Sequence, residues 1–140
     1  MAGELSVRAV HMGGMRVLAR GGNHQVITDY PIPPDRPVEG LTSLELLLAS
    51  LASCAATVVL AILKRQLSQP VTGLEVRARG PRRAEHPTVI SAISLEFVVM
   101  GAVEAEAVAM ALSLSEKQLC PVWNMLKTGT PISATYRIVP

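Results

Sequence analysis

The sequence predicts an α+β protein in which an antiparallel sheet is segregated from one long central helix. Three observations lead there. Residues 46–63 carry no charge, so a long apolar helix dominates the middle of the chain. Segments on both sides of it alternate apolar and polar residues with the period of two that a half-buried strand requires. Glycine pairs and prolines separate those segments at hairpin spacing. The resulting order is βββ-α-ββ-α-α-β over 140 residues, with no internal repeat and no dividing linker, so residues 1–140 read as one domain.

Leu5, Val7 and Ala9 alternate with Ser6, Arg8 and Val10 as a first strand. Gly13-Gly14 signals a hairpin, residues 15–19 return, and Gly21-Gly22-Asn23 turns into a third strand over residues 24–30. Pro31, Pro33, Pro34 and Pro37 hold the chain extended and deliver it to the helix. This segment is placed to wall a site beside Glu45.

The helix start is legible. Thr42 and Glu45 stand three apart just before the apolar run, the capping-box pattern in which each side chain satisfies the other's backbone N–H. Lys64 and Arg65 suit the negative end of the helix dipole, and Pro70 forbids continuation. Ala49, Ala52, Ser53, Ala55 and Ala56 form a small-residue surface that lets another backbone approach. A run of about 18 apolar residues is long enough to cross a membrane. Against that reading, Ser50, Ser53, Cys54 and Thr57 crowd its middle, no second span follows, and the flanking strands need something to pack on. The run therefore reads as a core helix, enclosed on every side.

After Pro70, Leu74, Val76 and Ala78 alternate with Glu75, Arg77 and Arg79 as a fourth strand, ended by Gly80-Pro81. The polar loop RRAEHP leads to a fifth, residues 88–100, with Ile93, Leu95 and Phe97 on one face and Ser94 and Glu96 on the other. Residues 103–117 read as a second helix with Glu104 and Glu106 in its first turn. Leu119-Cys120-Pro121 interrupts it, residues 122–126 form a short third helix, and residues 132–139 supply the last strand.

Half the residues are hydrophobic, but the aromatic ones are Phe97, Trp123, Tyr30 and Tyr136 alone. The core is therefore aliphatic, with no stacking platform for single-stranded nucleic acid. A net charge of +2 is too small to call for a polyanionic partner. Arg77, Arg79, Arg82 and Arg83 read as a solvated strand face and loop. The opening MAGELSVRAV has no charged region followed by an apolar block, so no signal peptide is expected. Two cysteines make no secreted disulfide framework and point to a cytoplasmic protein. His11, His24 and His86 are scattered, without ligand spacing, and no phosphate loop or nucleophile elbow appears, so neither metal nor cofactor is expected.

The two thiols need explaining. Cys54 lies mid-helix among apolar residues, where a free cysteine usually just packs and burial leaves it inert. Cys120 precedes Pro121, a residue favoured at the first position of a helix, which places Cys120 at the N-cap. Free backbone N–H groups there favour a thiolate. Spacing alone leaves open whether the two face each other.

ELLLASLASC from Glu45 and ALSLSEKQLCPV from Ala111 resemble the two cysteine motifs of the OsmC/Ohr family, the osmotically inducible and organic hydroperoxide resistance proteins. GNHQVITDY from Gly22 and RAEHPTVISAISLEFVVMG from Arg83 are similar to its OsmC-like branch. The resemblance runs in order through nearly the whole chain. It implies an OsmC-like fold, an intertwined homodimer whose partner chains complete the sites, and a thiol-dependent peroxidase for organic hydroperoxides. It makes Cys54 the peroxidatic nucleophile, Cys120 its resolving partner and Glu45 the family's first-turn glutamate. It also implies an arginine from the N-terminal hairpin or the following loop, Arg16 or Arg36. The implied reductant is a dithiol, a lipoylated protein in the Ohr branch, with no nucleic acid and no membrane among the partners. Leu44 stands where the family often has proline, and Glu45 is nine residues before Cys54, one fewer than in typical Ohr sequences. Glu45 thus reads either as a cap or as a site residue. The alternative to a peroxidase is a non-catalytic dimer of the same type that binds a small molecule or senses redox state.

Overall fold

Two glycines decide where the first sheet folds back on itself. In the computed structural model, which describes residues 3–140, β1 (Arg8–Gly13) pairs antiparallel with β2 (Arg16–Gly21), and β2 with β3 (His24–Thr28). Gly14 and Gly22 each open a two-residue turn at a φ of +58°, the left-handed region that primed hairpin turns need and that glycine enters freely. β1 begins at Arg8, later than the alternation from Leu5 suggests. Its register pairs Arg8 with Arg20, and β2 ends one residue later at Gly21, so Leu5 lies beyond the last residue of β2. The opening stretch read as lacking a signal peptide starts in residues 1–2, outside the described residues.

α1 (Ser43–Ala61) begins where the capping box puts it. The Thr42 N–H donates to Glu45 Oε1 at 2.9 Å, and the Glu45 N–H to Thr42 Oγ1 at 3.2 Å. The helix loosens into one π turn, Ile62–Gln66, that carries Lys64 and Arg65. Together they are long and apolar enough to cross a membrane by length and composition. Leu51, Ala55, Val59, Ile62 and Leu63, at spacings of three, four and one, are instead buried in the protein's own core.

β4 (Gly73–Arg79) pairs antiparallel with β5 (Ile93–Met100), and β5 pairs in parallel with β6 (Ile132–Val139). The strands thus form two three-stranded sheets, β1-β2-β3 and β4-β5-β6. The parallel pair has a simple cause. α2 (Ala105–Leu114), a π turn and α3 (Pro121–Leu126) lie between β5 and β6, and a connection of that length carries the chain back to the starting end of β5, as a tight hairpin does not. β5 is shorter than the 88–100 run, because residues before Ile93 turn aside and Ile90 bridges to Arg82.

The chain divides into two compact units, one ending at Leu47 and one from Leu48 to Pro140, so the boundary falls inside α1. The second unit holds the apolar core. Leu95, Phe97 and Val99 face inward from β5, Val108 and Ala111 from α2, and Trp123 from α3. The aliphatic core expected from composition has one aromatic pair within it, with Phe97 and Trp123 stacked at 6.3 Å between ring centroids. On the outer face of the sheet, Arg77 pairs with Glu75 and Glu96, the solvated strand face expected there.

Candidate functional site

The second unit brings the two cysteines into contact. Cys54 sits midway along α1, half-buried, and its Sγ lies 3.1 Å from that of Cys120, a residue with no exposed surface. Both are free thiols. A disulfide bond is about 2.05 Å long, so roughly 1 Å of approach separates this contact from a covalent bond.

Cys120 is delivered by an unusual piece of chain. α2 ends in a π turn, Ser115–Leu119, and the Cys120 N–H closes that turn on the Ser115 carbonyl at 3.0 Å. Cys120 itself is extended, with φ −86° and ψ 106°, and Pro121 follows at the first position of α3. The N-cap placement expected from the sequence is therefore correct. Its expected electrostatic consequence is not. Burial pushes the Cys120 thiol up to about 11, and the Trp123 and Val122 backbone amides, which pull the other way, do not offset it. The neighbouring Cys54 adds to the rise. Cys120 is thus a protonated thiol at neutral pH.

Glu45 occupies the cap. Its Oε1 accepts the Thr42 N–H, and that bond, followed by the Thr42 hydroxyl, holds its carboxyl below the usual glutamate range. Its Oε2 accepts no hydrogen bond among the described residues. The two candidate arginines are engaged by other carboxylates of the first unit. Arg16 Nη1 meets Glu39 at 2.8 Å. Arg36 pairs with Asp29 and also donates to the carbonyls of Tyr30 at 2.7 Å and Ile32 at 3.2 Å.

Asp29 was not singled out by the sequence. It is buried, accepts the Tyr30 N–H at 2.8 Å and the Glu39 N–H at 3.0 Å, and is held below the usual aspartate range, chiefly by Arg36. It pins both ends of the proline loop. Its one sequence signal was its place at the end of the strand before Pro31. Asn124, whose carboxamide reaches the Cys120 carbonyl at 2.7 Å, was equally silent. Among the described residues no group of three or more His, Cys, Asp or Glu side chains could hold a metal.

A groove of about 340 Å³ runs between α2 and β6, lined by Leu112, Ser113, Glu116, Trp123, Ile132 and Tyr136 among others. The Nε1–H of Trp123, buried with the rest of the ring, has no hydrogen-bond partner among the described residues.

A family model described as "OsmC-like protein" matches residues 35–135. The chain is 29% identical over 137 residues to Protein YhfA of Escherichia coli (strain K12), an alignment covering 96% of this chain and 98% of that one. Among solved structures, a hypothetical protein from Aquifex aeolicus VF5 superposes with a TM-score of 0.87 at 26% identity, covering 98% of this chain and 97% of its own. An OsmC-like protein from Mycoplasma pneumoniae does so at 0.85 and 18% identity, with both chains fully covered. The organic hydroperoxide resistance protein OhrB of Bacillus subtilis reaches 0.67 at 14% identity, covering 96% of this chain and 98% of its own. At those last two identities the likeness is one of fold. The family match spans most of the chain and includes Glu45, Cys54 and Cys120, and this protein belongs to the OsmC-like family.

Proposed function

We propose that this protein is a cysteine-based peroxidase that reduces organic hydroperoxides in the cytoplasm, working as a homodimer with a dithiol as reductant. The observation that carries the reading is the 3.1 Å contact between the Cys54 and Cys120 sulfurs. Two thiols that merely filled core space would have no need to meet. The half-buried Cys54 is the one a substrate can reach, and the fully buried Cys120 is the one suited to wait behind it.

The chemistry runs in three steps. The Cys54 thiolate attacks the distal oxygen of ROOH; an S–O bond forms, the O–O bond breaks, and RO⁻ leaves as the alcohol after taking a proton. The Cys120 sulfur then displaces hydroxide from the Cys54 sulfenic acid, and the thiol's own proton leaves with it as water. A dithiol reduces the disulfide by exchange and is itself oxidised to a disulfide. A buried, protonated Cys120 is poorly suited to the first step, which needs a thiolate, and in the second step its proton leaves with the displaced hydroxide as water. Glu45 is proposed as the third site residue, its free carboxylate oxygen available to orient an arginine, Arg16 or Arg36, toward the thiolate.

Peroxide consumption with dihydrolipoamide or dithiothreitol tests the reading. Wild type turns over, with cumene hydroperoxide faster than hydrogen peroxide because an aliphatic surface gains by burying the R group. Cys120→Ser consumes one equivalent and stops at a sulfenic acid on Cys54, visible by mass spectrometry. Cys54→Ser reacts no faster than a free thiol. Sulfenic acid appearing on Cys120 with Cys54 untouched would reverse the assignment.

A second reading draws on a separate observation. The groove beside Trp123 has a mixed polar and apolar lining, and the buried Trp123 Nε1–H finds no partner among the described residues, a setting that suits a small molecule carrying one hydrogen-bond acceptor. Absence of turnover, together with ligand-dependent quenching of Trp123 fluorescence, would favour a binding protein over an enzyme.

A further inference from the structure

Cys120 lies between an irregular turn and a helix of six residues, and a helix that short has little stability of its own. A neighbouring side chain makes up the difference. Asn124 Nδ2 donates to the Cys120 carbonyl at 2.7 Å and to the Ser115 carbonyl at 3.3 Å. The Ser115 carbonyl closes the π turn, and the Cys120 carbonyl opens α3. The Ser115 carbonyl also accepts the Cys120 N–H, and the Cys120 carbonyl also accepts the Asn124 N–H, both at 3.0 Å. One carboxamide therefore ties the residue that starts the turn to the residue that ends it. Ser115 is anchored in turn, its buried hydroxyl donating to the Ala111 carbonyl at 2.8 Å.

We propose that Asn124 is the positioning residue for disulfide formation, holding the Cys120 backbone so that its sulfur stays against that of Cys54. The inference rests on the thiol-pair chemistry above and deepens it. In the step concerned, the Cys120 sulfur supplies the electron pair of the new S–S bond, the Cys54 S–O bond breaks, and hydroxide leaves as water with the Cys120 proton. The sulfurs must close by roughly 1 Å to bond. Asn124 grips only backbone, which leaves the Cys120 side chain free to make that movement. Aspartate at this position would aim a carboxylate at two carbonyls, acceptor against acceptors. Glutamine would keep the donor but move it one methylene out of place.

The experiment separates the two chemical steps. Wild type, Asn124→Asp, Asn124→Gln and Lys127→Met are mixed with one equivalent of cumene hydroperoxide, and the Cys54 sulfenic acid and the disulfide are followed by quenched mass spectrometry. The control is chosen for its geometry: Lys127 Nζ donates to the Glu116 carbonyl at 2.7 Å, tethering the same turn without touching Cys120. Asn124→Asp is expected to slow condensation by about 10- to 100-fold, the scale of a roughly 1 Å misplacement, with Asn124→Gln between it and wild type. The rate of the first oxidation stays within about twofold of wild type, and Lys127→Met condenses at the wild-type rate. Condensation at wild-type speed in both Asn124 variants overturns the proposal, as does equal slowing in Lys127→Met, which would mean general loosening. A parallel arm closes the disulfide with the azo oxidant diamide, needing no peroxidase activity. Slow closure there in the Asn124 variants, with a wild type inert to hydroperoxide, would sink the peroxidase reading and leave the positioning role standing.

Discussion

At Cys120 two local effects compete, and burial prevails. The sequence marks the residue as a helix N-cap, and it is one, but nothing in LCPVW indicates that its sulfur loses all contact with water. That depends on packing against residues far away in sequence, which no local pattern carries. Asp29 and Asn124 escaped notice for the same reason, since each acts through carbonyls and amides that only the folded chain brings near. The raised thiol has a consequence for stability. The folded state holds the Cys120 proton up to about 11, whereas the unfolded chain releases it near the ordinary cysteine value of about 8.5. Between those values the unfolded state binds fewer protons, so stability falls as pH rises. Urea midpoints of the reduced protein should therefore decline from about pH 8.5 toward pH 11, and Cys120→Ser should flatten the decline. A wild-type curve as flat as the variant's would refute it. Asp29 works in the opposite sense: its pairing with Arg36 stabilises above the ordinary aspartate pKa and is lost as pH falls through the lowered one.

At the scale of elements, α1 was the most legible part of the chain because its signals are local. Thr42, Glu45 and the uncharged run lie within one stretch, and the helix starts where they place it. The direction of β6 was not legible. Alternation says that a strand exists, while its parallel pairing with β5 follows from the helices between them. The two roles offered for Glu45 can be separated on this element. Glutamine also serves at this position of a capping box, so Glu45→Gln should melt like wild type. If the carboxylate orients an arginine, the same variant should oxidise Cys54 roughly tenfold more slowly, because a favourable charge near the thiolate has been disturbed. Equal stopped-flow rates would leave Glu45 as a cap alone. Thr42→Ala is the complementary change: it should cost about 1 kcal/mol of stability with the oxidation rate unaltered.

For the molecule as a whole, the question is what covers its apolar surface. The sequence reads the apolar helix as enclosed on every side, yet of residues 43–66 only Leu51, Ala55, Val59, Ile62 and Leu63 are buried within one chain. The first sheet is barer still. No residue of β1, β2 or β3 is buried, and Val10, Met12, Met15 and Val26 remain 37–45% exposed. Among the described residues, every buried apolar side chain lies at or beyond Leu51. A three-stranded sheet without a buried residue gains little from burial to set against the entropy of ordering it, and the proposed homodimer would supply further cover. A second copy is the economical source, since a two-fold axis lets the same bare surfaces cover one another. Light scattering at low micromolar concentration should therefore give twice the 14.9 kDa of one chain. The thermal midpoint should also rise with protein concentration, as it does when folding and association are linked. A monomeric mass with a concentration-independent midpoint would show that the bare sheet and helix are stable as they stand, and the homodimer would have to be given up.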